Sequence, residues 1–162
     1  MIDFDEIMEE VVTGMSPLVL NPNVTRSPKF YWGRSMDLPA FLKVYGEKHY
    51  PLIWSVSKPD SQTDDDGRWT RQAELNLCTV ETRKELLNTT RIEDGYSFKK
   101  VLFPLWEALE REIALSSSVD IIPGTVSKDK YPNYSVSGEY PQAVVWDVLR
   151  LTFTAEFSKY EC

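Results

Sequence analysis

Apolar side chains near the start of the chain fall at helical intervals: Phe4, Ile7, Met8, Val11 and Met15. This stripe predicts an amphipathic helix over residues 3–14. Asp3 followed by Glu6 resembles a capping box, and Gly14 with Pro17 closes the helix. Residues 16–36 then lose all periodicity. Pro17, Pro22 and Pro28, with repeated Asn and Ser, predict an extended arm or loop, with a short strand over Lys29–Gly33. Asp37-Leu38-Pro39 has the chemistry of a helix start, and Phe41, Leu42 and Tyr45 give a short apolar face that ends at Gly46.

From there the period shortens to two. Leu52, Trp54 and Val56 line one side of a strand over residues 50–56, and a polar loop runs through Asp64-Asp65-Asp66-Gly67. The clearest alternation follows. Ala73, Leu75, Leu77 and Thr79 point one way and Gln72, Glu74, Asn76 and Cys78 the other, the pattern of a half-buried antiparallel strand with one wet face. Residues 79–95 are charged and irregular, with a short helix over residues 81–88 as the one candidate element. Ser97 is placed to cap a long helix whose stripe is Phe98, Leu102, Leu105, Leu109 and Ile113. Pro104 interrupts that stripe. It must either kink the helix or mark where its regular part begins.

Residues 119–122 read as a short strand and Pro123-Gly124 as a turn. Residues 123–142 form a long loop or hairpin, with a weaker strand at 131–137. Alternation returns over residues 144–157 through Leu149, Leu151, Phe153, Ala155 and Phe157. A strand of that length reaches more than about 45 Å at roughly 3.3 Å per residue. It is expected either to bend near Asp147 or to project past its own sheet. The order of elements predicts one α+β domain over residues 1–162. Its sheet is mainly antiparallel, with the long helix and the N-terminal amphipathic helix packed on one face.

Composition narrows the function classes. The 162 residues are 42% hydrophobic and 27% charged, enough to bury a real core. No apolar run approaches the roughly 18 residues that cross a bilayer, and the acidic start is unlike a signal peptide. The net charge of −7, with Lys and Arg scattered, disfavours a phosphate-gripping surface and sequence-specific nucleic-acid binding. Cys78 and Cys162 have no CxxC spacing and read as free thiols.

Candidate chemistry is sparse. His49 is the only histidine, and its neighbours supply neither nucleophile nor acid. The three adjacent aspartates Asp64 to Asp66 point in divergent directions, unlike the spaced ligands of a calcium loop, so a solvated loop tip is expected there. No phosphate loop, HExxH helix or GxSxG elbow occurs. The reading is a non-enzyme with no cofactor and no metal. A pair of carboxylates that meets only in space would make it a small enzyme or ligand-binding domain instead. The aromatics are more informative. Phe30, Tyr31, Trp32, Trp69, Tyr131 and Tyr134 stand in segments read as loops or edges, where Trp and Tyr anchor protein interfaces. Trp106 and Trp146 are assigned to the core.

The layout then resembles a known group. An N-terminal amphipathic helix leads to Tyr50-Pro51-Leu52-Ile53-Trp54 and an alternating strand; the helix beginning Phe98-Lys99-Lys100-Val101-Leu102-Phe103-Pro104 and a terminal strand from Trp146 to Phe153 complete it. This is similar to the tail-completion and tail-terminator-like proteins of bacteriophages and prophages, which act in the neck or at head–tail joining. The resemblance implies a homo-oligomeric ring, hexameric or dodecameric, at the head–tail junction or tail end. Its partners would be copies of itself and neighbouring neck, portal or tail proteins. The location would be the virion, with the host cytoplasm during assembly. The resemblance carries no catalytic residues. A peptide-binding adaptor that uses an exposed strand edge is the remaining alternative.

Overall fold

A computed structural model describes residues 3–21, 24–33, 51–56, 62–65, 68–80, 98–135 and 145–158. Helix α1 spans Phe4–Thr13. Its cap is Asp3, whose Oδ1 accepts from the Asp5 N–H at 2.9 Å, and Gly14 closes it. Phe4, Ile7, Met8, Val11 and Val12 are buried, so the helical stripe of the sequence faces the core.

The strands are β1 (Leu18–Asn21), β2 (Val24–Arg26), β3 (Lys29–Gly33), β4 (Leu52–Val56), β5 (Gln62–Asp65) and β6 (Arg68–Val80), followed by β7 (Val119–Ile121), β8 (Ser127–Ser135) and β9 (Val145–Phe157). β1 and β2 pair antiparallel as a separate two-stranded ribbon. The other seven form one sheet with the path β3-β4-β6-β9-β7; β5 adds to β6 and β8 to β9. Every pairing in it is antiparallel except β3 with β4. Among the described residues no helix is long and apolar enough to cross a membrane.

The length of β9 finds its explanation in β6. The two strands have 13 residues each and pair continuously from Trp69 with Phe157 to Val80 with Trp146. β9 therefore neither bends away nor projects past its sheet, because a partner of equal length runs beside it. On its other side β7 and β8 divide the strand between them. The gap between them is filled by a turn. The Thr125 N–H donates to the Ile122 carbonyl at 3.3 Å, with Pro123 and Gly124 (φ 80°) between them, as a type II turn requires. The Ile122 N–H donates to the Thr154 carbonyl at 3.0 Å, and the Thr154 N–H donates to Thr125 Oγ1 at 3.1 Å. Both main-chain groups of Thr154 are thus satisfied on the side of β9 that neither β7 nor β8 reaches at this position.

Helix α2 spans Phe103–Leu115, 13 residues, and the five before it, Phe98–Leu102, are wound as a π-helix. The expected long helix is therefore a shorter one. Pro104 lies in its first turn, and the widened winding precedes it. Leu105, Trp106, Leu109 and Ile113 face inward. With α1 they cover one face of the sheet, meeting Ile53, Ala73, Leu75, Leu77, Leu149, Leu151, Phe153 and Phe157 in a single core. Phe4 packs on Phe157 with ring centroids 5.5 Å apart, and Trp106 on Phe153 at 6.2 Å.

The opposite face differs from the sequence reading. Gln72 is exposed and Glu74 half-buried, but Asn76 and Cys78 are buried along with Leu52, Trp54 and Val148. That face is wet at the end where β6 begins and dry at the other. The expected helices at residues 37–46 and 81–88, together with His49, Ser97 and Cys162, lie outside the described residues. Asp64 and Asp65 belong to strand β5, while Asp66 and Gly67 lie outside.

Candidate interaction surface

The six aromatic residues singled out in the sequence occupy three separate places. Phe30, Tyr31 and Trp32 are consecutive on β3, at one end of the sheet path. Trp69 is on β6 opposite Phe157, half-buried and packed against the core. Tyr131 is on β8, across the sheet from β3, with Arg150 4.5 Å from its ring centroid. Tyr134 is also on β8, after a bulge; its side chain lies outside the described residues.

The most exposed of the described side chains among the six, that of Trp32, is on β3. Its register places Phe30 beside Ile53 and Trp32 beside Ser55, so both side chains lie on the helix-covered face. Their rings stack with centroids 6.0 Å apart. Phe30 is held against the core, whereas Trp32 remains 41% exposed. A groove of about 340 Å³ runs between α1 and the start of β3, with Val12, Met15, Pro28 and Phe30 among its lining. Trp54 Nε1 donates to the Gly33 carbonyl at 3.3 Å and pins the far end of the strand. Gly33 has φ 142°, and a Cβ there would sit 2.9 Å from the Tyr31 hydroxyl, so glycine is needed where β3 stops.

The main chain of β3 has a defined polarity. The Lys29 N–H donates to the Pro51 carbonyl at 3.0 Å. Along a strand, successive residues turn their N–H and C=O groups to alternate sides. Lys29, Tyr31 and Gly33 therefore address β4, and Phe30 and Trp32 address the side where, among the described residues, no strand pairs with β3.

Two polar clusters escaped the sequence reading. In the core, Ser55 Oγ donates to Asp5 Oδ1 at 2.5 Å, and Arg71 Nη1 donates to Asp5 Oδ2 at 3.2 Å. The Arg71 guanidinium also lies 5.0 Å from the Phe4 ring centroid. On the other face, Arg150 Nε donates to Asn76 Oδ1 at 3.1 Å, and Arg150 Nη1 to the Tyr131 hydroxyl at 3.4 Å. Cys78 adjoins this group. Burial raises its thiol pKa far above the usual range, and the Arg150 charge only partly opposes that, so the sulfur stays protonated and inert. Among the described residues no three His, Cys, Asp or Glu side chains converge as a metal site would require. No family model matches the chain, and no curated protein matches it.

Proposed function

We propose that this chain is a structural subunit of a bacteriophage particle. Copies of it would form a closed ring at the head–tail junction or tail end, in the neck or tail-completion role. The observation that supports this reading is the β3 edge. It joins aromatic side chains to outward-facing main-chain hydrogen-bonding groups. Such an edge favours pairing with another chain, and a ring satisfies every edge through its symmetry. The order of elements, with two helices on a mainly antiparallel sheet, is compatible with the resemblance stated from the sequence. On this reading the chain works through surfaces rather than by turnover. Its neighbours would be neck, portal or tail proteins, and its excess of negative charge suits a channel through which DNA slides without being gripped.

The test is physical and compositional. Mass photometry of the purified full chain should give a discrete oligomer, alone or with its neck or tail neighbours. Mass spectrometry of purified virions should detect the chain at a fixed ratio to the other neck and tail proteins. Its absence from virions would overturn the proposal.

A further inference from the structure

Among the described borders of the sheet, β3 is the one built to accept another strand. β8 carries Lys128, Lys130 and Pro132 and a bulge between Tyr131 and Tyr134, all features that obstruct strand addition. β7 has three residues and β5 four, two of them aspartates. From Phe30 onward β3 has none of these defences. Its one charged residue, Lys29, is at its start, no proline or bulge interrupts it, and Phe30-Tyr31-Trp32 fills its length. What this border offers is specific: the N–H and C=O groups of Phe30 and Trp32 face the side where no described strand pairs, and they suit the backbone of an extended segment.

The chain also carries such a segment. Among the described residues the β1–β2 ribbon is a sheet of two strands, and Val19 on it is 71% exposed. Two-stranded ribbons are marginal by themselves and gain stability when a third strand joins. The ribbon is not seated on the β3 of its own chain. β2 passes into β3 through Ser27 and Pro28 and, among the described residues, pairs with β1 alone. Strand donor and strand acceptor are thus different surfaces of one molecule, and contacts of that kind propagate head to tail until they close.

We infer that the outer edge of β3 accepts the β1–β2 ribbon of a second copy, which extends the seven-stranded sheet across the contact. The inference rests on the self-assembly reading above and specifies its interface. The donor contributes β1 and β2 with Val19, and the acceptor contributes the main chain of Phe30 and Trp32 with the exposed Trp32 ring.

Backbone polarity makes the test selective. Proline at position 32 removes an outward N–H and leaves the donors of Lys29 and Tyr31 toward β4 in place. Trp32→Pro and Trp32→Lys should both lose the oligomer in mass photometry of the full chain at increasing concentration, with the far-UV circular dichroism of the wild type retained. Trp32→Lys keeps the test valid if the proline variant does not fold. On the donor side, Val19→Lys should likewise be monomeric. Mixing Trp32→Pro with Val19→Lys restores one intact donor and one intact acceptor, so one-to-one dimers should form and grow no further. If the wild type assembles but the Trp32 variants assemble equally well, or the mixture stays monomeric, this interface is wrong and the ring reading survives. If the wild type is monomeric both alone and with its neck and tail neighbours, both fall together.

Discussion

The Asp5 carboxylate, on the first turn of α1, lies 3.2 Å from the Arg71 guanidinium on β6, with the two side chains only 9% and 10% exposed. This ion pair fixes the start of the helix against the centre of the sheet. Ser55 supplies a hydrogen bond to the second carboxylate oxygen, while Arg71 Nε has no partner among the described residues. Removing one member strands the other charge in a dry site. Asp5→Ala should therefore cost about 3 kcal/mol in urea denaturation. The double variant Asp5→Ala, Arg71→Met should recover much of that loss, because no charge is then left buried. A double variant less stable than the single one would refute this account.

Two leucines on α2 separate burial from helix propensity. Leu105 is fully buried, and Leu115 is 81% exposed. Leu105→Ala should destabilise the chain by about 3 kcal/mol through lost contacts and a residual cavity. Leu115→Ala should stay within about 0.5 kcal/mol. Chemical denaturation midpoints at unchanged slope would test the pair.

Cys78 should resist alkylation by iodoacetamide in the native protein and react once the chain is unfolded, as peptide mass analysis would read. Its folded pKa lies above the ordinary value of 9.0. The unfolded chain therefore gives up this proton first as pH rises. The stabilisation is complete below about pH 9 and declines above it, by up to about 1.4 kcal/mol per pH unit. Replacing the thiol, as in Cys78→Ala, should lower stability at neutral pH but remove that share of the alkaline decline.

Gly124 adopts φ 80° with open space around its α-carbon, so a methyl group there meets backbone strain and no steric clash. Gly124→Ala should lower stability by about 1 kcal/mol, and Gly124→Asn by less, since Asn tolerates the left-handed region. Thermal unfolding of the two variants would rank them. An alanine variant as stable as wild type would exclude the turn geometry.

Elements whose periodicity is carried by apolar residues were legible in the sequence. The stripe of α1, the inward phase of β6 and the alternation of β9 all correspond to buried positions. Each is set by local partition between water and core, which a single segment reports by itself. Extending two of those patterns by one step would also have exposed the core ion pair. Asp5 is three residues before the buried Met8 and seven before Val12, and Arg71 is in phase with Ala73, Leu75 and Leu77.

Other features depend on partners that no local pattern encodes. β9 looked too long because its length has meaning only beside β6. Asn76 and Cys78 were placed in water because they are out of phase with the helix-facing residues, yet that end of the second face is covered as well. The weaker strand expected at residues 131–137 is β8 at Ser127–Ser135, where Lys128, Lys130 and Pro132 suit a border strand rather than a central one. Among the candidate interface residues, aromatic chemistry alone drew attention to Phe30, Trp69 and Tyr131. It could not indicate that Phe30 and Trp69 partly anchor in the core while Trp32 stays accessible.

The β6–β9 pairing has a consequence for how the molecule comes into being. The nearest pair along that seam, Val80 with Trp146, is already distant along the chain, and the other pairs are farther still. Such remote contacts must overcome a large loop-closure entropy before they return any stability, which slows folding. During synthesis α1 and β6 leave the ribosome well before β9, so their apolar faces wait without the strand that completes the central pair. Copies are therefore most prone to aggregate in that interval, and slower synthesis at lower temperature should raise the yield of soluble protein.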